Sequence, residues 1–362
     1  MRIFFVVFIF LISCSGNDDT KSKVDIFSQQ GILLLGNGTE PSGIDPHIVT
    51  GVPEHKILLA LLEGLVIFNP KNNGVLPGVA SDWSISKDGL IYTFTFNPDA
   101  KWTNGEIVKP EHFLYSWERI LSPDLGAQYA DMLYVIKNAE NFHKGQIRVP
   151  GTKISTTNES ELLTITTSSE HDLSIGNVIS LDGFSNTGGI SSDNINKTFS
   201  ILSVPSNKTF MVSLGVKAKS NAISSASTLI KPFNDFSKVG VSAFENKLVV
   251  TLENPTPYFL NILTHYSTWP VHPETVEKFG GMTSRTNQWT RVNNFIGNGP
   301  FKLESWEINK SLKVSRNDLY WGNNSNKING IEFLPIDNEL TQDRLFRSGG
   351  IHLANTVPTE KI

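Results

Sequence analysis

Residues 90–97 alternate between aromatic positions and smaller side chains. Side chains two apart on a strand point to the same face, so the pattern predicts a strand with a buried aromatic face. The aromatic positions are Tyr92, Phe94 and Phe96. Asp88-Gly89 is typical of a turn from a preceding strand around residues 83–86. The segment therefore predicts a β-hairpin.

Apolar residues recur at helical spacing after a second turn at residues 103–105. Pro110 stands at the first helical position, where a missing N–H costs nothing. The apolar stripe consists of Phe113, Trp117, Ile120 and Leu121. Such a stripe predicts an amphipathic helix that packs on the sheet.

The region before the hairpin also predicts a strand followed by a helix. Residues 32–35 predict a short buried strand, and Gly36-Asn37-Gly38 ends it. A turn is predicted at residues 45–47, followed by a helix whose apolar stripe continues to Leu65. The helical stripe consists of Ile57, Leu58, Leu61, Leu62 and Leu65.

Residues 147–234 differ from the rest in composition. Ser, Thr, Asn and Gly dominate, aromatic residues are sparse, and short runs typical of strands recur. These runs lie at residues 162–167, 177–184, 198–204 and 209–214. They predict an inserted small β-barrel or sandwich with its own core. Insertion of this kind succeeds at exposed loops whose ends lie close together.

The chain of 362 residues is 39% hydrophobic and 18% charged, which is enough for a sizeable core and more than one domain. A net charge of −4 is too small to indicate nucleic acid or an anionic membrane surface as a partner. The single cysteine excludes an internal disulfide framework.

That cysteine, Cys14, ends the N-terminal segment 1–14. Arg2 precedes an apolar run at residues 3–12 that is too short to span a bilayer comfortably. Residues 11–14 look like a bacterial lipobox, so we expect a lipoprotein signal peptide, lipidation at Cys14 and a flexible tether over residues 15–30. A plain signal peptide or an N-terminal anchor helix is the alternative.

Motifs for catalysis are missing from the sequence. No H-E-x-x-H, G-x-S-x-G or P-loop occurs. The closest histidine pairs, His47 with His55 and His265 with His272, lack metal-ligand spacing. We therefore expect no enzyme, no catalytic residue, no cofactor and no metal site.

Four submotifs follow one another with short gaps between residues 77 and 119: P-G-V-A-x-x-W, S-x-D-G-x-x-Y-T-F, A-x-W-T-N-G and F-x-Y-S-W-x-R. This order resembles the solute-binding proteins of oligopeptide and dipeptide ABC transporters (extracellular solute-binding protein family 5). The resemblance extends to Glu-Gly-Leu at 63–65, Asn-Gly-Pro-Phe at 298–301 and N-x-x-Y-W at 317–321.

The resemblance implies a mixed α/β (α+β) lobe of the periplasmic-binding-protein type. We expect this lobe at residues 31–146 and 235–362, interrupted by the module at 147–234. Family members continue into a second lobe, so the first lobe is expected to be incomplete at its C-terminal end. The family pattern also implies ligand-binding residues, namely Thr50, Val52, Tyr129 and His265.

The implied function is capture of short peptides outside the cytoplasmic membrane for uptake by an ABC transporter. Expected partners are short peptides, ABC permease subunits and a membrane reached through the lipid anchor, for a monomer in the periplasm or at the cell surface. Other relatives bind nickel complexes, haem or oligosaccharides, so the identity of the solute stays open. The role of Trp269 also stays open, between a core residue and a ligand contact. One competing hypothesis is an adhesive or structural surface lipoprotein that displays the β module. This module also resembles small β modules of phage tail and virion surface proteins. The other hypothesis is a non-functional gene fragment.

Overall fold

A computed structural model describes residues 21–286, 288–323 and 327–361. The predicted signal peptide, Cys14 and the first part of the predicted tether lie outside the described residues. The described helices are α1 (Lys23–Gln29), α2 (Val52–Leu61), α3 (Pro110–Leu121), α4 (Ala139–His143), α5 (Ser192–Ile195), α6 (Phe259–Ile262), α7 (Pro273–Lys278) and α8 (Glu339–Arg347).

The described strands fall into four sheets. In chain order they are β1 (Ile32–Gly38), β2 (Val66–Asn69), β3 (Gly74–Pro77), β4 (Ala80–Ile85), β5 (Ile91–Phe96), β6 (Gln146–Thr156), β7 (Leu162–Thr166), β8 (Val178–Asp182), β9 (Thr198–Ser200), β10 (Ser203–Ser206), β11 (Thr209–Ser213), β12 (Ala222–Pro232), β13 (Val241–Phe244), β14 (Lys247–Thr251), β15 (Phe301–Glu307), β16 (Ser311–Arg316) and β17 (Gly330–Pro335).

The chain divides into two compact units, of which the smaller comprises the described residues up to Glu40 together with 304–316 and 327–361. Its sheet has the order β1-β17-β16-β15, with β1 parallel to β17 and β17 antiparallel to β16. Helix α1 begins at a capping box formed by Ser22 and Asp25, and the Val24 N–H donates to the Gly349 carbonyl at 2.9 Å. Residues 23–29, predicted as part of a flexible tether, are therefore helical and attached to this unit.

The larger unit, residues 41–303 with 317–326, contains the predicted hairpin and helix. Strands β13, β14, β5 and β4 form an antiparallel sheet in that order. The aromatic face of β5 and the whole apolar stripe of α3 are buried. The Phe96 and Phe113 rings meet edge to face with centroids 5.4 Å apart, which joins the helix to the sheet.

Helix α2 ends at Leu61, before the Glu-Gly-Leu segment that the sequence pattern included in it. Leu62 is extended, and the chain passes so close to Trp269 that a Cβ at Gly64 would overlap the indole ring. Glycine is required here because the backbone itself packs against Trp269. The β2–β3 hairpin follows directly.

Residues 146–232 form a seven-stranded sheet in the order β10-β11-β7-β6-β12-β8-β9. The long strands β6 and β12 run antiparallel and pair Gln146 with Pro232, so the segment leaves and re-enters the lobe at adjacent positions. Its core is a cluster of buried apolar residues: Ile154, Leu163, Ile165, Leu173, Ile179, Leu181, Phe184, Ile190, Ile195, Phe199, Ile201, Phe210, Val212, Leu214, Ala218 and Leu229. All of them lie between residues 147 and 234.

Candidate functional site

A buried ion pair holds the turn that precedes Thr50. Arg119 on α3 donates from Nη1 and Nη2 to the two Asp45 carboxylate oxygens at 2.9 and 2.7 Å. Burial alone would raise the pKa of Asp45, but the Arg119 charge and its hydrogen bonds lower it overall. Arg119 Nη1 also lies 2.9 Å from His47 Nδ1, and burial lowers the pKa of His47 to about 3. The turn at residues 45–47 is therefore a rigid support for the loop after it.

Three of the four predicted ligand-binding residues meet on one surface. The Tyr129 hydroxyl donates to the Thr50 carbonyl at 3.2 Å. The Tyr129 and His265 rings lie edge to face with centroids 5.0 Å apart. Val52, the fourth residue, begins α2 and keeps 63% of its surface exposed. Three segments far apart in the sequence thus contribute Thr50, Tyr129 and His265 to one region, and the assignment of a ligand to them and to Val52 stays a prediction.

His265 is neutral at physiological pH. Burial, and then the neighbouring His55, lower its pKa to about 4. Its Nδ1 lies 3.3 Å from the Ser267 backbone nitrogen and 2.8 Å from the Ser267 hydroxyl oxygen. The His55 pKa is also lowered, first by burial and then by Lys56. This surface therefore presents imidazole groups whose neutral form is favoured by burial.

A cavity of about 920 Å³ adjoins this surface. His55 and His265 line one side of it, and apolar side chains such as Leu59, Ile67 and Ile262 supply much of the rest. A cavity of this size with a few polar groups is typical of a small-molecule or peptide side-chain site. Trp269, which the sequence left open, lines the cavity but is buried, and its indole N–H donates to the Leu263 carbonyl at 3.3 Å.

Glu63 is a functional candidate that the sequence pattern did not single out. Its carboxylate is buried at the cavity wall and accepts from the Tyr320 hydroxyl at 2.5 Å and the Trp321 indole N–H at 2.7 Å. The Asn298 side chain bonds both the N–H and the C=O of Glu63, at 3.0 and 2.9 Å. Burial raises the pKa of Glu63 to about 7, although the bonds from Tyr320 and Trp321 act to lower it.

This network explains why three separate motifs occur in the sequence. Glu-Gly-Leu supplies the acid, Asn-Gly-Pro-Phe supplies the amide, and N-x-x-Y-W supplies the two donors. The motifs were visible in the sequence, but their meeting point depends on contacts between residues more than 200 positions apart.

A scan against known families gives a match over most of the chain. The model described as "Bacterial extracellular solute-binding proteins, family 5 Middle" matches residues 74–362. The chain belongs to this family of solute-binding proteins.

Among curated members, the chain is 28% identical over 344 residues to the periplasmic oligopeptide-binding protein OppA of Escherichia coli, covering 94% of this chain and 46% of OppA. It is 25% identical over 357 residues to the dipeptide-binding protein DppE of Bacillus subtilis, covering 97% of this chain and 48% of DppE. The chain spans about half the length of the curated relatives it matches.

The solved structures of the family agree in fold. The Haemophilus influenzae OppA complex with the peptide RPPGFSPFR superposes with a TM-score of 0.63 at 25% identity, covering 92% of this chain and 48% of that one. The family assignment and the mixed α+β fold expected from the sequence are thereby confirmed. Across the described residues, no helix combines the length and apolar character needed to cross a membrane.

Proposed function

We propose that this protein is an extracytoplasmic solute-binding lipoprotein that captures short peptides for uptake by an ABC transporter. The observation that carries the proposal is the joining of Thr50, Tyr129 and His265 on one surface beside a large cavity. Support comes from the family match and from a related OppA structure that is a complex with a nonapeptide.

The chemistry of the surface suits an extended peptide. Such a ligand presents the same N–H and C=O groups whatever its sequence, so pairing with its backbone gives broad specificity. Thr50 and Val52 are exposed, and the neutral imidazole of His265 adds a group that can donate or accept one hydrogen bond. The adjoining cavity of about 920 Å³ would accept side chains with bridging water.

Delivery belongs to the same proposal. Lipidation at Cys14 would hold a monomer at a membrane, in the periplasm or on the cell surface, where permease subunits are within reach. Closure of two lobes about a hinge would bury the peptide and create the form that the permease recognises. Binding rather than catalysis is proposed because the family model and the related structure are those of solute-binding proteins.

Calorimetric titration with RPPGFSPFR and with trialanine tests the proposal, using the 362-residue chain and the same chain extended with the second half of E. coli OppA. We expect both peptides to bind the extended protein, with a weaker response from the chain alone. Tyr129→Ala and His265→Ala should each weaken binding at least tenfold, whereas Tyr115→Ala, on α3 and bonded to Glu277 instead, should not. Failure of both proteins to bind either peptide, or equal losses in the three variants, contradicts the proposal.

A second candidate function rests on the β module. A sheet with its own apolar core, joined to the lobe through the adjacent strand ends of β6 and β12, suits display of an adhesive domain at a cell surface. Removal of the module separates the two functions. A peptide-capturing protein should keep its peptide affinity, whereas an adhesive protein should lose attachment to surfaces and show no peptide binding before or after removal.

A further inference from the structure

Three ligand-type side chains meet on the larger unit, apart from the surface formed by Thr50, Tyr129 and His265. His272 Nε2 lies 2.9 Å from Glu106 Oε2 and 3.6 Å from Glu274 Oε2. One ligand atom from each of the three residues lies within 4.8 Å of the others. Glu106 is 166 positions from His272, so sequence spacing could not predict the cluster.

The Glu106 carboxylate is held in place by the turn before it. Asn104 accepts the Glu106 backbone N–H at 3.1 Å and donates its side-chain N–H to Glu106 Oε1 at 2.8 Å. Gly105 makes this turn possible because it adopts a φ of +93°. With Oε1 engaged by Asn104, Oε2 remains directed at the imidazole.

The imidazole is fixed as well. The His272 side chain is only 3% exposed and caps α7, where its Nδ1 accepts the Thr275 N–H at 3.3 Å. The Thr275 hydroxyl lies 2.8 Å from the same nitrogen. With Nε2 on a metal ion, Nδ1 carries the proton and donates to this hydroxyl instead of accepting the Thr275 N–H. Contacts of this kind set the ring orientation and tautomer of metal-binding histidines in proteins.

We propose that Glu106, His272 and Glu274 bind one divalent transition-metal ion of the zinc class. Zinc accepts imidazole nitrogen and carboxylate oxygen at about 2.0–2.2 Å, which places tetrahedral ligand atoms roughly 3.3–3.6 Å apart. The glutamate side chains are 54% and 67% exposed, so they can turn by the small amount required and leave a position for water. Two carboxylates also balance the charge of the ion. Calcium and magnesium prefer all-oxygen sites and should bind much more weakly.

The competing explanation is an ordinary hydrogen bond from His272 to Glu106. The two explanations differ at Glu274, whose oxygen lies 3.6 Å from Nε2 and is too distant for a strong bond to it. A metal ion needs Glu274 as a third ligand, whereas the hydrogen bond does not. Glu274→Gln is therefore the deciding variant. Its side chain is exposed, so the variant should fold, and thermal unfolding of the metal-free protein checks this.

The test is calorimetric titration of the metal-free 362-residue chain with Zn²⁺. We expect a site of one ion per chain whose affinity falls at least tenfold in Glu274→Gln and in His272→Asn, the latter because asparagine keeps the helix cap but removes the imidazole. Glu111→Gln is the matched control, since it removes an exposed carboxylate from the first turn of α3 without touching the cluster.

Electron paramagnetic resonance with Cu²⁺ gives a second readout. The spectrum of the parent chain should contain the coupling of an imidazole nitrogen, and this coupling should disappear in His272→Asn. Zinc affinity that is unchanged in Glu274→Gln overturns the proposal. So does a zinc site that survives both cluster variants but is lost when His55 or His265 is replaced.

Discussion

Arg119 and Asp45 form a two-pronged ion pair inside the larger unit, with Arg119 fully buried and Asp45 7% exposed. Arg119 Nε also donates to the Met282 carbonyl at 2.8 Å. The pair connects the Y-S-W-x-R helix to the Asp-Pro-His turn, two segments that the sequence placed in separate motifs. Its geometry supplies the first prediction.

Asp45→Asn should destabilise the fold by about 3–5 kcal/mol, because the Arg119 charge would remain buried without its carboxylate. The folded pKa of Asp45 is lowered, so the stability from the pair is present above the ordinary value of 3.8 and is lost as the pH falls through the folded value. Urea unfolding at pH 7 measures the effect. Glu140→Gln, which breaks the exposed pair with Lys144, is the control and should have no measurable effect. If Asp45→Asn lowers the free energy of unfolding as little as Glu140→Gln does, Arg119 finds other partners in the variant.

Glu63 predicts a pH dependence of opposite sign. Its pKa rises to about 7 in the fold from 4.5, so the native state keeps a proton that the unfolded chain has released. Stability is therefore full below pH 4.5 and falls as the pH rises through 7, by on the order of 3 kcal/mol in total. Glu63→Gln should flatten this dependence, because the amide can accept from Trp321 and donate to the Tyr320 oxygen.

Guanidinium unfolding of both proteins at pH 5, 6, 7 and 8 measures this difference. Tyr320→Phe removes a bond that lowers the pKa of Glu63, so in that variant the decline in stability should move to higher pH. Parallel pH profiles for the parent and Glu63→Gln would mean that Glu63 is ionised in the fold.

His265 should weaken the fold on the acid side. Its pKa is lowered to about 4 from 6.5, so the unfolded chain takes up a proton first as the pH falls. Stability is full above pH 6.5 and is lost progressively toward pH 4. His265→Asn keeps a side chain able to accept the Ser267 N–H and should remove the part of this loss that His265 causes. Thermal unfolding between pH 4 and 7.5 checks it, and an unchanged acid profile in the variant would exclude His265 as the group responsible.

The sequence predicted local elements well where periodicity and burial coincide. Strand β5 and helix α3 carry their whole aromatic and apolar faces into the core, and both were predicted within a residue or two. Helix α2 was predicted too long, because the apolar positions of Leu62 and Leu65 continue past the helix end in extended chain that is also buried. A pattern of burial does not reveal which backbone conformation produces it.

Strands β6 and β12 were not predicted for a related reason. Strand β6 contains Pro150 and Gly151, which interrupt the alternation of Ile147 and Val149 before it resumes at Thr152 and Ile154, so neither half is long enough to predict a strand. Pairing with neighbouring strands holds it in place, and such tertiary contacts override local propensity. The Glu63 network and the Glu106 cluster were not predicted for the same reason, since each joins segments that are distant in the sequence.

If Cys14 is lipidated, membrane localisation depends on its thiol group. Cys14 lies outside the described residues, and it is the sole cysteine of the chain. Cys14→Ser should abolish incorporation of labelled palmitate and move the protein from the membrane to the soluble fraction. Ser13→Ala, which leaves the thiol in place, is the control and should label normally. A Cys14→Ser protein that still labels and sediments with membranes would favour the alternative of an anchor helix.

The β module should be separable from its host lobe. Ile147 pairs with Lys231 at the base of β6 and β12, and the Phe233 N–H donates to the Gly145 carbonyl at 3.0 Å. Replacing residues 148–230 with Asn-Gly would close this pair with a two-residue turn suited to a hairpin. The shortened chain should keep a cooperative thermal transition, because the apolar cluster of the module lies entirely within the segment removed.

Expression of residues 146–232 alone supplies the complementary half of this experiment. With its own buried core and paired long strands, the isolated segment should unfold cooperatively and show dispersed amide resonances. The boundary matters, since a version starting at Leu162 lacks β6, the strand that pairs with both β7 and β12, and should not fold. If the host lobe without residues 148–230 loses its cooperative transition while the isolated module keeps one, the lobe depends on the module, and the insertion is an integral part of the fold.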